Sequence, residues 1–300
     1  MKQKHLIVIG GPTATGKTQV AVELAQYFQC EIISADSRQV YAELNIGVNK
    51  PSPAQLAAVR HHLIGHVSIH QKYDAGNYEK DALFRLNELY KDKDLAILAG
   101  GTGLYLRAIL EGLDIFPQVN ETEVDNLKKI YHENGLTPLQ DELNLHDPDY
   151  YLQVDKQNPH RLIRALSIIR SSGVKYSEFL THQSRDRDFE PIPIYLNEER
   201  KKLYQKINHR VDEMVEQGLE NEARDLFPFI QLNGLQTVGY REWFMHFEGK
   251  ISKEEAIEKI KQHTRNYAKR QWTWFKPLQW PEFHADDIPS MINHIQTRLQ

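Results

Sequence analysis

One segment near the start of the chain limits what it can fold into. Gly11-Pro12-Thr13-Ala14-Thr15-Gly16-Lys17-Thr18 matches G-x-x-x-x-G-K-[ST]. It follows the short apolar run Leu6-Ile7-Val8-Ile9 and precedes a helical pattern through Val20, Leu24 and Phe28. Strand, glycine-rich turn and helix, in that order, are the context in which this pattern holds phosphate. Glycines let backbone N–H groups turn inward around phosphate oxygens, and the helix N-terminus adds its dipole. Lys17 supplies a point charge, and the Thr18 hydroxyl is a ligand for Mg²⁺. Gly11 to Thr18 are therefore expected to bind a phosphate chain.

The flanking pattern gives the architecture. Glu31-Ile32-Ile33-Ser34 and Leu95-Ala96-Ile97-Leu98 read as further buried strands, the second ended by Gly100-Gly101 and followed by a helix through Leu104, Ala108 and Ile109. Strands alternating with helices predict a parallel sheet. From about 117 to 190 the pattern is helical, punctuated by Pro138, Pro148 and Pro159. Pro191-Ile192-Pro193-Ile194-Tyr195-Leu196 then alternates like a strand. A stripe of Leu203, Ile207, Val211, Met214 and Val215 follows, closed by Gly218 where a C-cap glycine belongs. The expected fold is α/β: a P-loop-containing parallel sheet with helices on both faces, built from 1–117 and 191–300. An all-helical insertion domain, 118–190, interrupts it.

Composition narrows the class. At 300 residues, 40% hydrophobic and 26% charged, the chain is neither disordered nor a coiled-coil rod. Cys30 is its one cysteine, so no intrachain disulfide and no Cys-based zinc site can form. No apolar run approaches the roughly 18 residues of a membrane span, and the first run is too short for a signal peptide. A cytoplasmic monomer with no membrane segment and no obligate protein partner is expected.

The ligand of the phosphate loop is not fixed by the loop itself. A nucleotide hydrolase needs an acid at the end of a neighbouring strand. The Leu95–Leu98 strand ends instead in Gly100-Gly101-Thr102-Gly103. The nearest strand-end carboxylate is Asp36, within Ser34-Ala35-Asp36-Ser37-Arg38-Gln39-Val40-Tyr41, where α/β sheets place ligand sites. A simple turn or N-cap aspartate is the plain alternative.

These segments, in this order, resemble the tRNA dimethylallyltransferase (tRNA isopentenyltransferase) family. The resemblance continues through His61-His62-Leu63, Gly100 to Tyr105, Asn158 to Leu166, Ile207 to Met214, Val238-Gly239-Tyr240 and Tyr267-Ala268-Lys269-Arg270-Gln271. It implies transfer of a dimethylallyl group from dimethylallyl diphosphate to the exocyclic N6 amine of the adenosine just 3′ of the anticodon, tRNA position 37. The tRNAs concerned read codons beginning with U. The phosphate loop, with Mg²⁺ at Thr18, would then hold an isoprenoid diphosphate rather than ATP. Such a leaving group needs N–H donors, a lysine and Mg²⁺ but no positioned water, which accounts for the missing strand-end acid.

The resemblance also assigns roles. Asp36 would take the proton of the adenine amine as the C–N bond forms. Lys17 and Arg210 would hold the diphosphate, and Thr102 would orient Asp36 or touch the bridging oxygen. The target base must swing out of the anticodon loop. Asp36, Ser37, Arg38 and Gln39 would meet it, with Arg38 and Gln39 reading base edges. Asn158, Pro159, His160, Arg161 and Arg164 on the insertion, and Val238, Gly239, Tyr240, Arg241, Arg265 and Arg270 on the core, would contact the anticodon stem-loop. Tyr240 and Trp243 also suit packing, as do Trp274 and Phe275. Three segments depart from the family wording, Asn45 to Pro51, Gly65 to Asp74 and Gln118 to Leu127, and imply an altered RNA grip with the catalytic set intact. The rivals are an adenylate isopentenyltransferase acting on free AMP or ATP, a small-molecule kinase, and a non-catalytic RNA-binding protein.

A net charge of −4 argues against a globally basic RNA coat, but its distribution is uneven. Residues 119–157 hold 3 basic and 9 acidic groups, whereas 158–187 hold 6 and 2. Lys259 to Lys276 contains six cations and no acid, with Tyr267, Trp272, Trp274 and Phe275 interleaved, a pattern suited to RNA. Of His61, His62, His66 and His70, three are spaced by four and would share one helical face, but neutral histidines in polar contacts are commoner than a metal cluster.

Overall fold

The computed structural model describes residues 3–181 and 184–300. Six strands, β1 (His5–Gly10), β2 (Ile32–Ser34), β3 (His61–His62), β4 (Leu95–Gly100), β5 (Glu190–Leu196) and β6 (Glu282–Phe283), form one parallel sheet in the order β3-β2-β4-β1-β5-β6. Helices α1 (Lys17–Phe28), α2 (Pro53–Ala58), α3 (Ala75–Asp92) and α4 (Gly103–Leu110) come first. Then follow α5 (Glu121–Asn134), α6 (Thr137–His146), α7 (Pro148–Gln153), α8 (Pro159–Ser172) and α9 (Tyr176–Phe179). The chain closes with α10 (Arg200–Glu216), α11 (Leu219–Leu226), α12 (Tyr240–Phe247), α13 (Lys253–Phe275) and α14 (Ile288–Arg298).

The sheet is the expected P-loop-type sheet with helices on both faces. Its strands are apolar on both sides, so alternate residues feed two cores. Leu6 and Val8 of β1 pack with α3, α4, α12 and α13 residues, including Tyr78, Leu106, Trp243 and Phe275. Ile7 and Ile9 pack on the other face with Val20 and Leu24 of α1 and Met291 and Ile295 of α14. The short β3 and β6, of two residues each, are too brief to show alternation and were not expected as strands. Two prolines inside β5 are tolerated because β6 pairs only with Tyr195 and Leu196, which leaves the edge beside Pro191 and Pro193 open. Gly218, with φ 101°, ends the α10 stripe and starts α11.

The chain divides into two compact units, Met1–Leu110 with Asp186–Gln300, and Glu111–Arg185. The second begins and ends earlier than the 118–190 read from the sequence, a span that includes residues 182 and 183, outside the described ones. Its core is Leu127, Leu139, Leu143, Leu162, Leu166 and neighbours. Pro138, Pro148 and Pro159 each sit in the first turn of a helix, where the missing N–H costs nothing. Fully buried Asp147 caps α7 through the Tyr150 N–H and accepts from both N–H and hydroxyl of Ser177, tying α7 to α9.

Candidate active site

The strands of the first unit end together, and the loops leaving β1, β2 and β4 converge there. After Gly10 the chain turns through Gly11–Gly16 and enters α1 at Lys17. Gly16 has φ 91°, a left-handed conformation open to glycine. Thr15 Oγ1 and Lys17 Nζ donate to the Pro12 carbonyl at 2.8 and 2.7 Å, closing the loop on itself. Burial, with Arg210 nearby, lowers the Lys17 ammonium to about 7, against a smaller opposing pull from Asp36. Arg210, on α10, reaches the loop and donates to Thr13 Oγ1 at 3.3 Å. Its own pKa is lowered by burial, so it is no ordinary solvated helix charge.

Asp36 follows β2. Its Oδ1 accepts from the backbone N–H groups of Arg38 (2.9 Å) and Gln39 (3.3 Å), an Asx turn that fixes the carboxylate. Its Oδ2 accepts no hydrogen bond from the described residues. The Thr102 hydroxyl accepts from the Ser37 N–H at 3.0 Å and meets Ser37 Oγ at 3.3 Å. Thr102 thus braces the residue after Asp36 and not Asp36 itself.

Two cavities meet at these residues. One, of about 320 Å³, is lined by Thr13, Asp36, Arg210, Met214, Ile260 and Tyr267 among others. The other, of about 600 Å³, is lined by Gly16, Lys17, Thr18 and Lys50, and again by Thr13, Asp36 and Arg210. A narrow space of about 50 Å³ beside Lys17 and Thr18 is walled by Ser34, Asp36, Gln39 and His61. Hydroxyl and carboxylate oxygens next to room for water suit Mg²⁺, which prefers hard oxygen donors and keeps several waters.

The remaining expected residues divide. Val238, Gly239, Arg241, Arg270, Ser37 and Arg38 line the 320 Å³ cavity. Arg38 Nη1 donates to the carbonyls of Asn233 (3.1 Å) and Gly234 (3.3 Å), and Gln39 Nε2 to those of Asn49 (2.9 Å) and Val48 (3.3 Å). Both side chains expected to read base edges therefore hold their own backbone. Arg265 Nη1 likewise donates to Asn208 Oδ1 at 2.6 Å. Tyr240 requires correction: it is fully buried, donates to Glu222 Oε1 at 2.6 Å, and offers RNA no surface. Trp243 and Phe275 are core as well.

In the second unit, Asn158 caps α8 by accepting from the Arg161 N–H, and Pro159 starts the helix. His160, Arg161 and Arg164 are exposed. The basic stretch of α13 is partly neutralised, since Lys261 pairs with Asp212 at 2.8 Å and Lys259 with Glu255 at 3.4 Å. The histidines share no helix: His61 and His62 form β3, His62 bonds Glu31 at 2.6 Å, and His66 bonds the Tyr73 hydroxyl. No group of three His, Cys, Asp or Glu side chains converges among the described residues.

Two residues were missed. Burial pushes the Tyr267 phenol up to about 12, aided by Asp36, while a hydrogen bond to the Thr102 side chain pulls the other way. Glu222 receives the backbone N–H groups of Asn45, Ile46 and Gly47 together with the Tyr240 hydroxyl, and so fixes a loop that lines both cavities. Tyr267 lay inside a quoted motif; Glu222 is one charge among many on a polar helix and gave no signal.

Comparison with known proteins yields a consistent set. The family model described as IPP transferase matches residues 39–277. The chain is 45% identical over 298 residues to a tRNA dimethylallyltransferase of Christiangramia forsetii, covering 98% of each. It is 43% identical over 306 residues to one of Flavobacterium johnsoniae, covering 99% of each. Among solved structures, the full-length tRNA isopentenylpyrophosphate transferase of Bacillus halodurans matches with a TM-score of 0.74 at 32% identity, over 99% of this chain and 97% of that one. A eukaryotic dimethylallyltransferase acting on tRNA matches with a TM-score of 0.80 at 26% identity, over 98% and 77%.

Proposed function

The chain belongs to the IPP transferase family, and from that premise we propose how its residues carry out dimethylallyl transfer to tRNA. It is a prenyl-transferring enzyme, as its relatives are. The observation that carries the reading is that Thr13, Asp36 and Arg210 stand on the walls of both cavities. A transfer between two substrates needs one shared boundary where the leaving group and the acceptor face each other.

The 600 Å³ cavity takes the diphosphate of dimethylallyl diphosphate. Backbone N–H groups of the loop, Lys17 and Arg210 surround it with positive charge. Mg²⁺ would be held by the Thr18 hydroxyl, near Asp36 and water, and would supply further charge for the departing diphosphate. The 320 Å³ cavity takes the flipped adenine of tRNA position 37, among Met214, Ile260 and Tyr267. Its N6 lone pair attacks the allylic carbon, and the C–O bond breaks with its electrons leaving on the diphosphate. The N6 proton passes to Asp36, whose Oδ1 is committed to the turn and whose Oδ2 is open. The exposed His160, Arg161 and Arg164 of the second unit and Arg241 and Arg270 of the first suit the phosphates of the anticodon arm. A tRNA substrate supports the reading of a cytoplasmic enzyme.

The test is direct. The protein is incubated with Mg²⁺, labelled dimethylallyl diphosphate, and tRNA, AMP or ATP separately. Label is expected on tRNA at N6 of position 37. Label on AMP or ATP alone, or on no acceptor, overturns the reading.

A further inference from the structure

Gln271 is 6% exposed and lies on α13, 258 residues along the chain from Thr13. Its Oε1 accepts from the Thr13 N–H at 2.8 Å, inside the phosphate loop. Its Nε2 donates to the Gly101 carbonyl at 2.8 Å. Gly101 precedes Thr102, whose hydroxyl holds the Ser37 N–H next to Asp36. One carboxamide therefore joins the loop that holds the leaving group to the loop that braces the base. The fit is close, since a Cβ on Gly101 would run into Gln271 Nε2.

Only an amide side chain of this length serves both ends. It must accept from one backbone group and donate to another within a buried space. An ionised carboxylate accepts from Thr13 but cannot donate to Gly101, and an apolar isostere does neither. A buried N–H or C=O left without its partner is costly, so the loops would shift to find new ones. Thr13 also receives Arg210 on its hydroxyl, so movement of Thr13 carries the second diphosphate cation with it.

We propose that Gln271 is a positioning residue that sets the distance between the diphosphate and Asp36. The proposal rests on the prenyl-transfer reading above. Gln271 itself touches neither reacting atom; it acts through Thr13 and through Gly101–Thr102.

The experiment compares wild type, Q271E and Q271M in single-turnover transfer at saturating dimethylallyl diphosphate and tRNA. Both variants are expected to lose about tenfold or more in rate at about pH 8, with KM for tRNA little changed. For Q271E the ratio to wild type should recover as pH falls to about 6, because burial at this position raises the carboxyl well above its ordinary value and the protonated form regains the donor. The Q271M ratio should stay flat. Hydrogen exchange supplies a second reading: the Thr13 amide is protected in wild type and in Q271E, and exposed in Q271M. Rates within twofold of wild type for both variants, or a ratio for Q271E that is flat with pH, overturn the proposal. Rapid exchange of the Thr13 amide in the folded wild type overturns it without any variant. Absence of transfer by wild type would instead sink the prenyl-transfer reading on which the proposal stands.

Discussion

Arg210 Nη1 lies 3.3 Å from Thr13 Oγ1, so a helix 197 residues further along the chain delivers a guanidinium to the phosphate loop. Arg210 is buried enough to lower its pKa, which means the fold holds a desolvated cation at the loop before substrate arrives. The cost of desolvation is offset when a diphosphate binds.

Arg210→Lys should therefore not rescue function. A lysine keeps the charge but loses the planar fork that can hold Thr13 and a phosphate oxygen together. We expect kcat/KM for dimethylallyl diphosphate to fall about 10²-fold in either R210K or R210A, on the scale of losing a preorganised charge contact. Steady-state kinetics at saturating tRNA measure it.

Asp36→Asn should preserve the fold, because a carboxamide oxygen can still accept from the Arg38 and Gln39 N–H groups. It cannot take the N6 proton. Single-turnover transfer should fall about 10²- to 10⁴-fold, the range for a lost general base, while tRNA affinity stays near wild type. Near-wild-type turnover in D36N would remove Asp36 from its role.

Lys17 gives a pH signature. With a pKa of about 7, it is largely neutral at about pH 8. A bound diphosphate stabilises the charged form, so binding at that pH should draw in up to one proton and affinity should weaken as pH rises above 7. Calorimetric titration in buffers of different ionisation enthalpy reads the uptake, and K17M should abolish it. The stability effect has its own sign. The folded pKa lies below the unfolded value, so between about 7 and 10.5 the unfolded chain binds the extra proton, and this group's contribution to stability rises with pH.

Glu222→Ala should unfasten the loop at Asn45–Gly47. It removes the acceptor of three backbone N–H groups and of the Tyr240 hydroxyl. Hydrogen bonds to a charged group suggest a loss on the order of 3 kcal/mol in denaturant titration, and about 1 kcal/mol for Tyr240→Phe, which keeps the ring and loses one bond. If both variants match wild type, the loop is held by other contacts.

Much of this was legible from local pattern. The motif at Gly11–Thr18 fixed its own strand and helix, and the apolar runs at Leu6–Ile9 and Leu95–Leu98 predicted the central strands. Those signals work because a buried parallel strand must be apolar on both faces. Asp36 stood out as the nearest strand-end carboxylate, but its role and those of Arg210 and Thr102 rested on resemblance, since a single carboxylate, guanidinium or hydroxyl has no periodicity to betray its chemistry. Tyr240 was misjudged because a polar tip does not reveal whether it meets solvent or a partner supplied from far along the chain. Glu222 as the partner of Tyr240 is a tertiary fact.

The span between Thr13 and Gln271 bears on synthesis. A ribosome releases Thr13 of the phosphate loop 258 residues ahead of Gln271 on α13. Until α13 emerges, Thr13 lacks its clasp and the acceptor cavity lacks the wall bearing Tyr267 and Arg270. Nascent chains would therefore present an incomplete diphosphate cradle.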